Sequence, residues 1–266
     1  MPPTEVMQLA LTSANDLAKS MVESVQDYSL FAWRAIANVG RKRRYVGDAI
    51  QQADLVGVGA LPIVVLTGLS MGAELGLNSA HTLQRFGALT EIGELVSEGM
   101  IRELGPIIVG LMIAGRSASG MAAELGSMIV TEQIDAMRAL GVDPMKKLVT
   151  PRVVATVFMI FFLTIVSDLF GLFGGAIIST SLFRMDWHEY WSSATQILDF
   201  GDVFMGLVKP LLFGLIISTV GCYYGLTVRG GTQGVGRATT QAVVAASVLI
   251  LITDLVVTKL LMNIFP

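Results

Sequence analysis

The chain has little charge and few of the side chains that form disulfides or hold metals. Only 15% of its 266 residues are charged, against roughly 25% in soluble proteins, while 53% are hydrophobic. A single cysteine, Cys222, excludes an intrachain disulfide framework, and two isolated histidines argue against a metal site. The net charge of −3 argues against a nucleic-acid-binding protein, which would present a basic face. Because so few charges cannot cover so much apolar surface in water, the composition predicts an integral membrane protein.

Five apolar stretches are long enough to cross a membrane, since a helix needs about 20 mainly apolar residues to span a hydrocarbon core of ~30 Å. No apolar run typical of a signal peptide occurs in the first thirty residues. The sequence therefore predicts an all-α integral membrane protein with five transmembrane helices. These predicted spans cover residues 55–77, 104–130, 153–183, 203–228 and 242–265.

The distribution of Lys and Arg predicts the orientation of the spans. Basic residues are concentrated before the first span (residues 41–44, RKRR), between the second and third (138–152), and between the fourth and fifth (229–237). The remaining loops contain more acidic than basic residues. We therefore expect a multi-pass membrane protein with a cytoplasmic N-terminus and a short C-terminus on the outer side.

An amphipathic helix pattern precedes the first span, because apolar residues recur there at steps of three and four. The pattern fits a helix packed on the rest of the protein. It also fits an interfacial helix on the cytoplasmic leaflet, which the neighbouring RKRR cluster favours because it would meet anionic lipid. The sequence thus predicts a cytoplasmic or interfacial segment over residues 1–44 and a membrane domain over residues 45–266. The apolar positions are Leu17, Met21, Val25, Tyr28, Ala32, Ala35 and Val39.

A short capped helix is predicted between the second and third spans. Thr131 is a plausible N-cap with Glu132 in the first turn, and Gly141 suits the C-terminal stop. Asp143 and Pro144 then begin a second turn before the third span. The pattern fits either an ordinary loop or a docking helix for a cytoplasmic partner. The candidate docking residues are Thr131, Glu132, Gln133, Ile134, Met137, Asp143 and Pro144, with Leu140 completing an apolar edge.

The late segment GGTQGVGRATT, residues 230–240, has the glycine spacing of a phosphate-binding P-loop. That motif requires Lys and then Ser or Thr after the second glycine, whereas Arg237 and Ala238 stand there. We therefore expect no nucleotide site but a flexible cytoplasmic turn, with Thr239 or Thr240 capping the fifth span.

Small residues recur with GxxxG spacing, which permits close approach of two helices. For each pair, packing within the chain is favoured over a dimer contact. The pairs are Gly68/Gly72, Gly72/Gly76, Gly171/Gly175 and Gly221/Gly225.

Several charged residues lie within the predicted spans, where charge is costly and each is therefore a functional hypothesis. They are Arg102, Glu103, Lys209, Arg116, Glu124, Asp168 and Asp254. The first three are expected at similar depth near the periplasmic side, where Lys209 would pair with Glu103. Arg116 and Glu124 are expected near the same helical face. Mutual pairing that fixes helix packing is the favoured interpretation, and a polar route for a substrate is the alternative.

Between the first two spans, apolar residues at helical spacing predict a short periplasmic helix leaning on the bilayer. They are Leu83, Phe86, Leu89, Ile92 and Val96. The alternative is the wall of a cavity, to which Leu75 and Leu104 would also contribute.

Two long motifs carry a specific resemblance. The runs RELGPIIVGLMIAGRSASGMAAELGSM (residues 102–128) and TEQIDAMRALGVDPMKKLVTPR (131–152), followed by RGGTQGVGRATT, resemble the MlaE permease family, also called the Mce-associated or YrbE permeases. These are membrane subunits of ABC transporters that move lipids between bacterial membranes. The resemblance extends from about Tyr45 to the C-terminus, so that residues 45–266 would form the permease domain.

The resemblance implies a homodimer of permeases that catalyses no covalent chemistry and holds no cofactor of its own. Separate ATPase subunits would bind ATP and Mg, and a periplasmic Mce-domain protein would exchange lipid, most simply phospholipid for outer-membrane homeostasis. The helix at residues 131–140 would then be the coupling helix that contacts the ATPase. The resemblance also implies a bacterial inner membrane, with the N-terminus cytoplasmic and the C-terminus periplasmic. In that case the cavity would accept lipid, with Leu75, Leu83, Phe86 and Leu104 at its wall.

Two other classes of function are weighed against this one. An intramembrane serine hydrolase could use Ser117 or Ser119, but His81 and His188 are expected outside the spans and cannot serve as its base. An ion-coupled secondary transporter could use Asp168 and Asp254 as proton carriers, but such transporters commonly show repeated halves, which this sequence lacks.

Overall fold

The computed structural model describes residues 19, 22–23, 25–39, 46–196 and 198–264. Helices account for most of these residues, and no strand occurs among them. In chain order the helices are α1 (residues 25–39), α2 (Val46–Val56), α3 (Leu61–Phe86), α4 (Ile92–Gly99), α5 (Gly105–Ile113), α6 (Ser119–Val130), α7 (Gln133–Ala139), α8 (Thr150–Phe183), α9 (Trp187–Gln196), α10 (Phe200–Leu226) and α11 (Gly231–Ile264).

The five predicted spans are confirmed as five long apolar helical runs: Val46–Phe86, Leu89–Val130, Met145–Phe183, Phe200–Leu226 and Gly231–Ile264. The second run joins α4, α5 and α6 through two wide π-helical turns, Met100–Leu104 and Ala114–Ala118. A third π-helical turn, Met145–Val149, leads into α8, whose first turn contains Pro151 as expected of a helix start. Most runs are longer than predicted because a helix continues past the apolar core that hydropathy detects.

The start of the fifth span also differs, since the span was predicted to begin at residue 242 after a flexible turn. That prediction is wrong, since α11 begins at Gly231 and includes most of the glycine-rich segment. Thr239 and Thr240 do not cap the helix, because both hydroxyls donate to the Gly236 carbonyl inside it. The chain turns at Gly230 and Gly231, where φ is +90° and +68°. Backbone hydrogen bonding along a long helix outweighs the poor helix propensity of single glycines.

The predicted periplasmic helix through Leu83 and Val96 is also wrong, because the chain breaks within it. Gly87 ends α3 in the left-handed region, with φ +71°, and a short 3₁₀ turn at Leu89–Glu91 follows. Leu83 therefore belongs to α3, whereas Val96 belongs to α4, which is continuous with the second span. His81, expected outside the spans, lies within α3, with its ring against Phe183. The apolar residues keep their helical spacing on both sides of Gly87, so the spacing alone does not reveal the break. The break depends on the left-handed conformation of Gly87, which glycine adopts without steric cost.

Helices α3 and α8 pack backbone against backbone, which confirms the role predicted for their glycines. A Cβ atom at Gly68 would lie 2.6 Å from the Ser167 carbonyl oxygen, and one at Gly72 would overlap the Gly171 carbonyl. One turn further, a Cβ at Gly76 would lie 3.2 Å from Gly175 Cα. Over three successive turns α3 thus contributes no side chain to this contact, and at Gly72 and Gly76 the facing residue of α8 is also glycine, as close helix packing in a membrane allows.

Helix α1 packs on α10. The Tyr28 hydroxyl and Thr219 Oγ1 are 2.9 Å apart and hydrogen-bonded, while Tyr28 and Phe31 place their ring edges against Tyr223. Burial raises the pKa of Tyr28, and this hydrogen bond opposes the shift. Trp33 is exposed on the outer side of the helix. Leu17, Met21 and the RKRR cluster lie outside the described residues, so the interfacial location stays a prediction.

Helix α9 closes one end of the molecule over a small apolar cluster. Tyr190 is fully buried between Ile92 and Val96 of α4 and the end of α8, and its hydroxyl donates to the Leu172 carbonyl at 3.0 Å. Burial raises the pKa of this phenol, which stays a neutral donor. A larger core cluster joins α5, α6, α8, α10 and α11, and it contains the buried Cys222.

Candidate functional site

A cluster of charges surrounds Lys209 of α10, which is fully buried. Its ammonium donates to Glu103 Oε2 at 2.7 Å and to the Arg102 carbonyl oxygen at 2.6 Å. Asp254 Oδ1 of α11 forms a third contact, an ion pair of 3.2 Å. Glu103 and the Arg102 carbonyl are presented by the π-helical turn Met100–Leu104, so three separate spans meet at one ammonium. The predicted contact between Glu103 and Lys209 is therefore present, and Asp254 is added to it.

The Arg102 side chain points elsewhere, although its carbonyl binds Lys209. Its guanidinium pairs with Glu98, one helical turn earlier, and lies 3.4 Å from Asp202. Asp202 is held at the start of α10 by a capping box with Asp199. The three residues predicted at similar depth thus belong to two adjacent sets of ion pairs, one around Lys209 and one around the Arg102 guanidinium. The i, i+4 spacing of Glu98 and Arg102 was a signal that sequence reasoning missed.

A pocket of about 410 Å³ opens beside Glu103 and Asp254. Thr258 at its wall donates to Glu103 Oε1 at 3.3 Å, which makes both carboxylate oxygens of Glu103 part of the network. Leu255, Thr258, Lys259, Met262 and Asn263 of α11 complete the lining. The pocket thus combines acidic, basic and apolar groups, as an amphiphilic molecule would require. No group of three or more His, Cys, Asp or Glu in the described part of the chain is arranged to hold a metal ion.

The residues predicted to line a lipid cavity lie elsewhere. Leu75, Leu83 and Leu104 are partly buried against the small apolar cluster around Tyr190, and Phe86 is 79% exposed at the end of α3. None of these four residues lines the pocket beside Glu103.

Glu124 pairs with Arg152 rather than with Arg116. Arg152 Nη2 lies 2.7 Å from Glu124 Oε1, and Arg152 Nη1 donates to the Leu148 carbonyl at 2.8 Å. Eight residues of helix separate Arg116 from Glu124 by about 12 Å along the axis, whereas α8 brings Arg152 alongside Glu124. Arg152 is 4% exposed. The pair lies where the second span approaches its end at Val130 and the third begins at Met145. Sequence reasoning treated Arg152 only as a loop charge.

Asp168 is buried in α8 against Gly105, where a Cβ atom would overlap the Asp168 carboxylate. Its Oδ1 atom has no hydrogen-bond partner among the described residues, and none of their ion pairs includes it. The pairing interpretation therefore fails for this residue within the described chain.

The segment predicted to dock on a partner is a two-turn helix, α7. Glu132 precedes it in the left-handed region, with φ 60°, so that Glu132 is not in the first turn. Thr131 is not its N-cap either, because the Thr131 hydroxyl donates to the Ser127 carbonyl at 2.9 Å and so ends α6. Gln133 Nε2 donates to Thr131 Oγ1 at 3.0 Å. The Thr131 hydroxyl thus satisfies a backbone carbonyl in the last turn of α6, where carbonyls have no partner within the helix, instead of capping the start of α7.

The apolar edge predicted on this helix is divided between the interior and solvent. Ile134 is fully buried in the larger core cluster, and Met137 packs against the same cluster. Leu140 is 81% exposed just past the helix, before Gly141 with φ +74°. Asp143 and Pro144 follow, and Asp143 Oδ1 accepts a hydrogen bond from the Met145 amide. Ile134 and Met137 thus attach α7 to the spans, whereas the Leu140 side chain is exposed.

The two serines considered as nucleophiles have no catalytic arrangement in the described residues. Ser119 donates to the carbonyls of Gly115 and Arg116, and Ser117 is buried with no hydrogen bond to a histidine in the described chain.

Comparison with known proteins identifies the family. The family model described as Permease MlaE matches residues 49–260. A probable ABC transporter permease protein of Rickettsia felis is 39% identical over 257 residues, covering 95% of this chain and 98% of the relative. The intermembrane phospholipid transport system permease protein MlaE of Haemophilus influenzae is 31% identical over 220 residues, covering 82% of this chain and 84% of that protein.

A plant relative also matches. The chloroplastic protein TRIGALACTOSYLDIACYLGLYCEROL 1 of Arabidopsis thaliana is 33% identical over 230 residues, covering 86% of this chain and 66% of the plant protein. These matches cover the spans, the charge cluster around Lys209 and α7. The chain is a multi-pass membrane protein that belongs to the MlaE permease family.

Proposed function

We propose that this chain is the permease subunit of an ABC transporter that moves phospholipid between a bacterial inner membrane and a periplasmic Mce-domain partner. It would act as a homodimer, with ATP and Mg bound by separate cytoplasmic ATPase subunits. The observation that carries the proposal is α7, a short helix between two spans that is attached to the core through Ile134 and leaves Leu140 exposed. The name of the Haemophilus influenzae relative, which specifies phospholipid, supports the substrate class.

The structure suggests how α7 would transmit movement. A force applied to α7 reaches the larger core cluster through Ile134, because close-packed interiors are rigid and transmit displacement. The ion pair between Arg152 and Glu124 lies beside it and links α6 to α8. Closure of two ATPase subunits would therefore move the second and third spans together.

The Lys209 cluster would act at the opposite end of these spans. Its pocket joins two carboxylates, Lys259 and an apolar wall, which matches a molecule with a polar headgroup and acyl chains. We infer that the pocket contacts lipid during transport.

Charge placed at Leu140 tests the coupling. The Leu140→Glu variant should lose most of the ATPase subunit during affinity purification, because an apolar contact would be replaced by a desolvated carboxylate. Met137→Glu is a poorer test, since Met137 packs inside this chain and the change would disturb folding. Subunits that copurify from native membranes in mild detergent are identified by mass spectrometry.

Phe200→Glu is the matched control, because Phe200 is 78% exposed and also lies at a helix end, on the side opposite α7 in the predicted topology. It should retain the ATPase. Full ATPase recovery with Leu140→Glu, in a permease that is folded as judged by gel filtration, would contradict the coupling assignment.

A further inference from the structure

Arg116 is an exposed cation well inside the second membrane run, Leu89–Val130. At 1.5 Å per residue, it lies about 21 Å of helix from the end of the run at Val130, and about the same length of helix separates it from Arg102. In the part of the chain that the structure describes, no carboxylate forms an ion pair with its guanidinium. An unpaired guanidinium at this position in a span is costly, so it requires an anion from outside the described chain.

The Arg116 guanidinium lies against Gly59 of the first span, and we call this contact its seat. Gly59 lies at the junction between α2 and α3: a Cβ atom there would lie 3.0 Å from Arg116 Cζ and 3.1 Å from Nη1, and would overlap Nη2. The missing side chain of Gly59 is therefore what allows the guanidinium to occupy this place. A planar group held in this way presents its N–H donors in a fixed direction, which suits recognition of a phosphate.

The surroundings of Arg116 are open within the described residues. A Cβ atom at Gly115 would meet no atom within 4 Å, and the same is true at Gly120, one turn later. Ser119, between them, uses its hydroxyl on the backbone carbonyls of Gly115 and Arg116. Arg116 is thus the group on this surface that can attract an anion, and there is room beside it for a headgroup.

We propose that Arg116, seated on Gly59, binds the phosphate of a lipid that has left its usual depth in the bilayer. A phospholipid at rest in the bilayer keeps its phosphate at the interface, whereas Arg116 lies about 21 Å of helix from the end of its membrane run. The anion that reaches it therefore belongs to a lipid in transit. This inference rests on the proposed lipid-transport function and adds a residue that holds the headgroup along the route.

Binding of two lipids to the purified full-length chain in detergent tests the inference without requiring the ATPase. The probes are dioleoyl phosphatidylglycerol and dioleoylglycerol, which share acyl chains and differ in the phosphate. The unmodified chain should bind the phospholipid at least about tenfold more tightly, as expected for charge-assisted hydrogen bonds. Arg116→Gln should reduce the difference to less than about threefold, and Arg116→Lys should retain part of it because the charge remains.

Two glycine variants separate the seat from general packing effects. Gly59→Ala should weaken the preference for the phospholipid because its methyl group displaces the guanidinium, whereas Gly115→Ala should leave the preference unchanged because its methyl group enters open space. An equal effect of the two variants would overturn the role of Gly59.

Three other outcomes would overturn the inference. The first is an undiminished preference for the phospholipid in Arg116→Gln. The second is displacement of the phospholipid by 10 mM inorganic phosphate, which would show a site for the free anion. The third is a change of oligomeric state in Arg116→Gln with the lipid preference intact, which would mean that a carboxylate of a second copy is the partner. Loss of ATPase copurification concerns only the proposed function, because lipid binding is measured on the isolated permease.

Discussion

At the scale of single residues, the buried charge of Lys209 depends on several partners at once. Its ammonium is shared by Glu103, Asp254 and a backbone carbonyl, so that the two carboxylates depend on one cation. Removing one member of a buried ion pair leaves the other uncompensated, which costs roughly 3–5 kcal/mol. The consequences of substitution should therefore differ between the cation and each carboxylate.

We expect Lys209→Met to be more damaging than Glu103→Gln. The first change leaves two carboxylates without their cation, whereas the second leaves the pair between Lys209 and Asp254 intact. The double variant should be less destabilised than the sum of the two single variants, because the charges interact directly. Thermal unfolding of the purified permease and lipid transport by the assembled complex are the two measurements. Equal losses from the two single variants, or strict additivity, would contradict this account of the cluster.

Sequence reasoning predicted part of this cluster for a physical reason. Glu103 and Lys209 lie near the starts of the second and fourth predicted spans, so their similar depth followed from hydropathy. The participation of Asp254 did not follow, because the start of the fifth span was placed eleven residues too late. The pair between Arg152 and Glu124 joins two helices that are separate in the sequence, so that only the tertiary structure reveals it.

At the scale of helices, the contact between α3 and α8 depends on glycine. A methyl group at Gly72 has no space, because it would overlap the Gly171 carbonyl. Side-chain repacking cannot relieve the overlap, since the atoms in contact are backbone. The two helices would have to move apart over several turns.

Gly72→Ala should therefore destabilise the permease by about 1–3 kcal/mol, the usual range for overpacking. Gly120→Ala is the control, because its methyl group would meet no atom within 4 Å and Gly120 also lies within a span. Both variants are compared by thermal unfolding in the same detergent. Equal unfolding temperatures would show that α3 and α8 tolerate separation.

Helices were predicted more reliably than their ends. Apolar length identified all five spans, because the bilayer selects for composition over about 20 residues. The left-handed residues that end or reorient helices were harder to predict. Glu132 adopts φ 60° without being glycine, and no local pattern distinguishes it from an ordinary first-turn acid.

At the scale of the whole molecule, labelling of introduced cysteines tests the predicted orientation of the five spans in the membrane. A cysteine in place of His188, near the start of α9, should react with an impermeant thiol reagent added to intact cells from the periplasmic side. A cysteine in place of Gln233, in the first turn of α11, should react only after the inner membrane is opened. Both positions are exposed, whereas Cys222 is fully buried and can be retained as an internal unreactive control. The reverse pattern would invert the model of the membrane orientation and move α7 to the periplasm.

The glycine contact between α3 and α8 also limits how the protein can change shape. Helices slide past one another when the side chains between them change rotamer, and here Gly72 faces Gly171 and Gly76 faces Gly175 with no side chain between them. We therefore expect the first and third spans to move together. The apolar part of α11 is the least enclosed of the five spans in the described chain. Any displacement of α11 relative to α3 and α8 would reshape the pocket beside Glu103, because every other residue lining that pocket belongs to α11.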